Sequence, residues 1–224
     1  MADRITLTTV DDMMIVGDWV PSPRMIGVAI LLHMMPETRA SWAMVQIALS
    51  RKGIASLAID LRGHGDSVKT TDGFTLNYKE FTEEDHLTTI DDVRAALDWV
   101  RKRGVDMSRI VLVGASIGAN IALNELTDEP HIAGAVLLSP GENYHGFEGM
   151  EDVGYVLPDH QLVIVSAEDD PESFGVSRRM YAEACCTKKS FVPYTAGGHG
   201  TNLLKSDPSL AEKIADWCVT MVSG

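Results

Sequence analysis

Positive charge is scarce in this chain. Its 224 residues carry 19 Lys and Arg against 32 Asp and Glu, a formal net charge of −13 at pH 7. Nucleic acid or an anionic membrane as partner requires a basic patch, and this balance argues against both. The acidic residues are scattered rather than gathered in a tail, which reads as a solubility feature. Long hydrophobic runs are also missing. The strongest, at 25–32, falls well short of the ~20 residues that span a bilayer. No basic stretch followed by an apolar one opens the chain, so no secretory signal is expected. Cysteine is rare as well. Cys185, Cys186 and Cys218 are odd in number and lack framework spacing, which fits a reducing, cytoplasmic setting. The adjacent pair is expected as two packed thiols on a helix. Apolar residues make up 45%, enough for a core, and the length suits one domain over 1–224.

No repeat or low-complexity segment stands out. Residues 5–9 and 13–20 form an expected opening hairpin. Apolar strands then alternate with helical patterns. Strands are expected at 26–32, 54–59, 110–113, 132–138, 162–166 and 189–194. Helices are expected at 42–52, 81–103, 116–126, 171–184 and 208–222. The inner strands read as continuous apolar runs, as in a parallel sheet covered on both faces. The fold class is therefore α/β: a three-layer sandwich with a mostly parallel central sheet. In such sheets ligands bind beyond the carboxyl ends of the strands, so chemistry should collect just after strands.

It does collect there. Gly114-Ala115-Ser116-Ile117-Gly118 follows the run 110–113 and opens a helical pattern, the context of a nucleophile elbow. The turn lifts a serine hydroxyl above the sheet, at a helix N-terminus suited to developing negative charge. Serine needs a base to take its proton, and the base needs a third group to orient it. Of seven histidines, His199 in Gly197-Gly198-His199-Gly200 follows the last strand in a permissive loop and is the expected base. His86 lies within a helical pattern, and His131 and His160 sit at strand entrances, the wrong edge. The carboxylate should come from Glu168-Asp169-Asp170 after the strand at 162–166. Asp169 is taken as the acid, with Asp170 next. The competing use of this cluster is to cap the helix that begins near Pro171.

At this point the chain resembles the α/β-hydrolase superfamily, as a compact serine esterase similar to dienelactone-hydrolase-like carboxylesterases. The residues that carry the resemblance are Leu32-His33, Asp60-Leu61-Arg62-Gly63-His64-Gly65-Asp66-Ser67, the elbow, Asp169 and Gly198-His199-Gly200. The resemblance implies Ser116 as nucleophile, His199 as base and Asp169 as orienting acid. It also implies an oxyanion hole formed by the backbone N–H groups of Ile117 and Met35. Met34 stands where relatives often carry glycine. His64 and Asp60 are expected to shape a loop rather than to react. Serine at the elbow, not cysteine, separates the chain from close dienelactone hydrolases.

The chemistry expected is acyl transfer: attack on an ester carbonyl, an acyl-enzyme, then hydrolysis. Neither a metal nor a cofactor is called for. Lid insertions in this superfamily follow the strand at 132–138. Only 139–160 intervenes here, too little for a separate cap domain, and an open site favours short-chain esters. Met34, Tyr144 and His145 are expected to line the substrate site, and Met35, Met44 and Met150 are further candidates for an apolar acyl pocket. The expected partner is a small-molecule ester, and a homo-oligomer is compatible with the sequence. Two alternatives stand beside the esterase: a thioesterase or peptidase-like hydrolase on the same triad, and a non-catalytic ligand-binding relative.

Overall fold

Two apolar layers, one on each face of a single sheet, organise the molecule. The computed structural model describes residues 2–224. In chain order the elements are β1 Asp3–Thr8, β2 Met13–Val20, β3 Gly27–Leu32, α1 Ala43–Arg51, β4 Ile54–Ile59, a short β5 Lys69–Thr70, α2 Glu83–Leu87 and α3 Ile90–Arg101. Then come β6 Ile110–Ala115, α4 Ile117–Asp128, β7 Gly134–Leu138, α5 Gly149–Asp152, β8 Gln161–Ala167, α6 Pro171–Glu183, β9 Lys188–Tyr194, α7 Asn202–Ser206 and α8 Leu210–Ser223.

The strands join in the order β1-β2-β4-β3-β6-β7-β8-β9, with β5 pairing β2. From β4 to β9 every pairing is parallel. The opening hairpin supplies the antiparallel edge. Along β6, Ile110 and Leu112 enter one core layer while Val111 and Val113 enter the other. That alternation explains the unbroken apolar run: successive side chains point to opposite faces, and both are covered. One layer is closed by α3, α4 and α6, the other by α1 and α8.

Three sequence expectations change. The helical pattern at 81–103 is two helices. Thr82 and Asp85 form a reciprocal capping box that starts α2; the chain then turns at Thr88 and Thr89 before α3 begins. Cys185 and Cys186 lie beyond the end of α6, one exposed and the other buried, so they do not share a helix. Met44, a candidate for the acyl pocket, is exposed on α1. Between β7 and β8 there is only the single-turn α5 and a 3₁₀ turn at Val153–Tyr155; no separate cap covers the sheet. Among the described residues, no helix is long and apolar enough to cross a membrane.

Candidate active site

The carboxyl ends of β3, β6, β7, β8 and β9 converge on one rim, and the reactive side chains come from the turns that follow them. Ser116 leaves β6 with φ 54° and ψ −123°, a conformation that costs a non-glycine residue about 1–3 kcal/mol. The flanking glycines make room for it. A Cβ on Gly114 would drive into the carbonyl of Gly118, and one on Gly118 into the carbonyl of Leu32. The Ser116 N–H donates to Leu138 O on the neighbouring strand β7 at 2.9 Å. The hydroxyl therefore stands at a fixed point above the sheet.

His199 reaches that point from the loop after β9. Its Nε2 lies 2.7 Å from Ser116 Oγ. Gly197, Gly198 and Gly200 around it all have positive φ, which glycine adopts without a Cβ penalty. The Gly200 N–H donates to Ser139 Oγ at 2.9 Å. Ser139 follows β7, is fully buried and is itself held at φ 50°. It fixes the histidine loop to the end of the neighbouring strand.

The carboxylate on His199 belongs to Asp170. Its Oδ2 lies 2.7 Å from His199 Nδ1. Asp169, the acid expected from sequence, points elsewhere. Its carboxylate accepts from the N–H groups of Gly197 and Gly198 at 3.0–3.2 Å, and these donors hold it below the usual carboxylate range. The reason is local. Pro171 opens α6 and disfavours helical backbone in the residue before it. Asp170 takes φ −117° and ψ 72° and makes no side-chain cap bond, which leaves its carboxylate for the imidazole. Asp169 braces the backbone of the loop; Asp170 orients the ring. With Nδ1 protonated toward Asp170, Nε2 accepts from the Ser116 hydroxyl, the arrangement a general base requires.

Sequence pattern does not single out Ser173. It lies in the first turn of α6, is buried, and places Oγ 3.3 Å from His199 Nδ1. Its other neighbour is the Tyr144 hydroxyl at 3.4 Å. The available signal was spacing: Ser173 is three residues beyond Asp170, one turn along the helix that Asp170 precedes.

The loop after β3 lies against the first turn of α4, with the Leu32 and His33 carbonyls packed on Gly118. This puts the segment bearing Met35 beside the segment bearing Ile117. His33 holds that loop from behind. It is fully buried, its Nδ1–H donates to Met34 O at 2.9 Å, and its Nε2 accepts from the Leu61 N–H at 3.0 Å. Burial and the neighbouring His64 push it down to about 3, so it works as a neutral strut. Met34 is buried, packed under Gly200 against Ala115, and supports the histidine loop from below rather than facing outward.

The remaining expected site residues separate. Tyr144 comes to the centre, with its ring 6.2 Å from the His199 ring. His145 turns away and stacks on His86 at 4.1 Å. His64 stacks on Tyr78 at 3.8 Å and touches neither Ser116 nor His199. Asp60 is fully buried and accepts from the Arg39 and Asp66 N–H groups at 2.8 Å.

A nearly all-parallel sheet, a strained serine at the strand–helix elbow and a histidine from the last loop define an α/β hydrolase. The family model described as serine aminopeptidase, S33, matches residues 23–157, more than half of the chain, and the protein belongs to this family. The matched stretch includes Ser116 but ends before Asp170 and His199. No curated protein sequence matches the chain. Among solved structures, it is similar to the esterase Pf2001 of Pyrococcus furiosus, with 18% identity and a TM-score of 0.78 over 99% of this chain and 93% of the other. It is similar to the alpha/beta hydrolase GrgF of Penicillium sp. sh18, with 13% identity and a TM-score of 0.80 over the whole of both chains. A dienelactone hydrolase of Anabaena variabilis gives 16% identity and a TM-score of 0.74 over 97% and 94%. At these identities the likeness is one of fold.

Proposed function

We propose that the protein is a serine carboxylesterase acting on small, short-acyl esters through an acyl-enzyme. The observation that carries this reading is the unbroken line from Asp170 through His199 to Ser116, both contacts at 2.7 Å. In this mechanism Ser116 Oγ attacks the ester carbonyl as His199 Nε2 takes its proton. Asp170 stabilises the imidazolium so formed. The tetrahedral oxyanion is received by the N–H groups of Ile117 and Met35, one at the head of α4 and one on the abutting loop. The protonated His199 gives its proton to the leaving alcohol. Water then repeats the sequence on the acyl-enzyme, using the same base.

Small esters are favoured because no cap covers the site and the segment between β7 and β8 is short. The chemistry draws on no metal or cofactor, and the net charge of −13 disfavours a nucleic-acid or anionic-membrane partner. The three cysteines are all free, which supports a cytoplasmic setting.

The test is labelling with a fluorophosphonate followed by mass spectrometry, together with a p-nitrophenyl ester chain-length series. Adduct on Ser116 and turnover peaking at acetate or butyrate support the reading. No adduct and no turnover overturn it. The family's own description favours a second reading, hydrolysis of aminoacyl amides on the same triad. Turnover of aminoacyl p-nitroanilides above that of p-nitrophenyl acetate would replace the ester by the amide.

A further inference from the structure

We propose that Tyr144 is a fourth catalytic residue, whose hydroxyl donates a hydrogen bond to the leaving-group oxygen and tunes the site toward esters of poorly acidic alcohols. This rests on the reading of Ser116 as nucleophile.

The proton inventory around His199 leads to it. Nδ1–H donates to Asp170 Oδ2 at 2.7 Å and, more weakly, toward Ser173 Oγ at 3.3 Å. With its oxygen facing that donor, Ser173 turns its own O–H to the remaining neighbour, the Tyr144 oxygen at 3.4 Å. Tyr144 then has its phenolic proton to give. Its ring stands 6.2 Å from the His199 ring, and the Ser116 hydroxyl lies near enough to the phenol to bear on its acidity. Ser116 donates its proton to His199 Nε2, so its oxygen can accept from the phenol. Tyr144 thus spans the His199 side of the nucleophile, where the leaving oxygen must lie to collect a proton from Nε2.

The scaffold under Tyr144 is rigid in a way a mere rim residue does not require. Asn120, fully buried on α4, donates to Gly141 O and Phe147 O at 2.9 Å and accepts from the Gly141 N–H at 3.0 Å. Tyr144 and Phe147 exchange both backbone hydrogen bonds at 3.1 Å. A Cβ on Gly141 would strike the Tyr144 ring. The phenol is thereby held before substrate arrives, the condition for electrostatic stabilisation without reorganisation. Burial lifts its pKa above the ordinary tyrosine range, so it remains a donor at neutral pH.

Ser116 Oγ bonds to the carbonyl carbon, and its proton moves to His199 Nε2. As the tetrahedral intermediate collapses, the bond from carbon to the leaving oxygen breaks and that oxygen takes the proton from Nε2. Tyr144 donates a hydrogen bond to the leaving oxygen as charge develops there and keeps its own proton. The help grows with the charge on that oxygen, so it matters most for an alkyl alcohol and least for p-nitrophenol.

The test compares wild type with Tyr144→Phe on butyrate esters of p-nitrophenol, phenol, trifluoroethanol and ethanol. The quantity read is log kcat/KM against leaving-group pKa. The variant is expected to stay close to wild type on the p-nitrophenyl ester and to fall about 10- to 100-fold on the ethyl ester, as for a hydrogen bond to a charged group. The slope therefore steepens. An equal loss on all four esters would make Tyr144 a packing residue, and no loss on any would remove it from the reaction; either overturns the proposal. Ser173→Ala should steepen the slope in the same direction by a smaller amount. Fluorophosphonate labelling separates the two levels. Normal adduct on Ser116 with parallel slopes removes the tyrosine's role alone. No adduct and no ester turnover in wild type remove the esterase reading and this inference together.

Discussion

Replacing Asp170 by asparagine is the sharpest test of the site, because Asp169 next door provides the control. The amide side chain would have the same shape as the carboxylate but no charge. The imidazolium formed during attack would lose a carboxylate that stands 2.7 Å from its Nδ1. Two unit charges ~4 Å apart near a protein surface interact by about 4 kcal/mol, or about three orders of magnitude in rate. The ring itself should stay in place, since Ser173 Oγ remains at 3.3 Å from Nδ1 and Asp170 makes no cap bond that α6 would miss. The loss should accordingly fall on kcat, at about 10³-fold, with the melting temperature little changed. Asp169→Asn removes a charge that touches only the Gly197 and Gly198 N–H groups. It should lower kcat far less, and any drop in melting temperature should be the larger of the two. The assay is steady-state hydrolysis of p-nitrophenyl butyrate with a thermal melt of each variant. A larger kcat loss from Asp169→Asn than from Asp170→Asn would refute the assignment.

Other expectations follow from the same geometry. Ser116→Ala should lose about 10⁴-fold or more in kcat while keeping the wild-type circular dichroism spectrum; a variant with wild-type turnover would move the nucleophile elsewhere. Gly118→Ala would force a Cβ into the Leu32 carbonyl and should cost about 3 kcal/mol or more in urea denaturation; an unchanged midpoint would mean that the elbow is looser than described. His33, held down to about 3 in the folded chain, has an unfolded value near 6.5. Below pH ~6.5 the unfolded chain binds a proton that the folded chain refuses, so stability falls as pH drops from ~6.5 toward ~3, by up to about 1.4 kcal/mol per pH unit, and is flat in this respect above pH ~7. Urea midpoints from pH 7 to pH 4.5 should show a shallower decline in His33→Gln than in wild type, and equal slopes would refute the buried neutral state.

How far the sequence reaches follows from what kind of physics places each residue. Pattern suffices for the layers: unbroken apolar runs such as Ile110–Ala115 are forced by a strand with two covered faces, and glycine at 114 and 118 is forced by carbonyls where a Cβ would sit. His199 is legible for a related reason, since the glycine-rich loop after the last strand combines backbone freedom with an imidazole at the reactive edge of the sheet. The choice between Asp169 and Asp170 is of another kind. Composition and chain order treat neighbouring carboxylates alike, and the decision is made by the local turn of the chain, which aims one at the glycine N–H groups and the other at the ring. The break in the 81–103 helix is similar: it falls at Thr88, whose hydroxyl donates to the Asp85 carbonyl and accepts from the distant Arg62 guanidinium. Ser139, Ser173 and Asn120 are the hardest to read, because each is an ordinary small polar residue that matters only through partners 21 to 61 positions away. Such long-range contacts leave no trace in local pattern. They are nonetheless what turns three side chains from separate loops into a site of fixed geometry, since without them the strained serine and the flexible histidine loop would have no common frame.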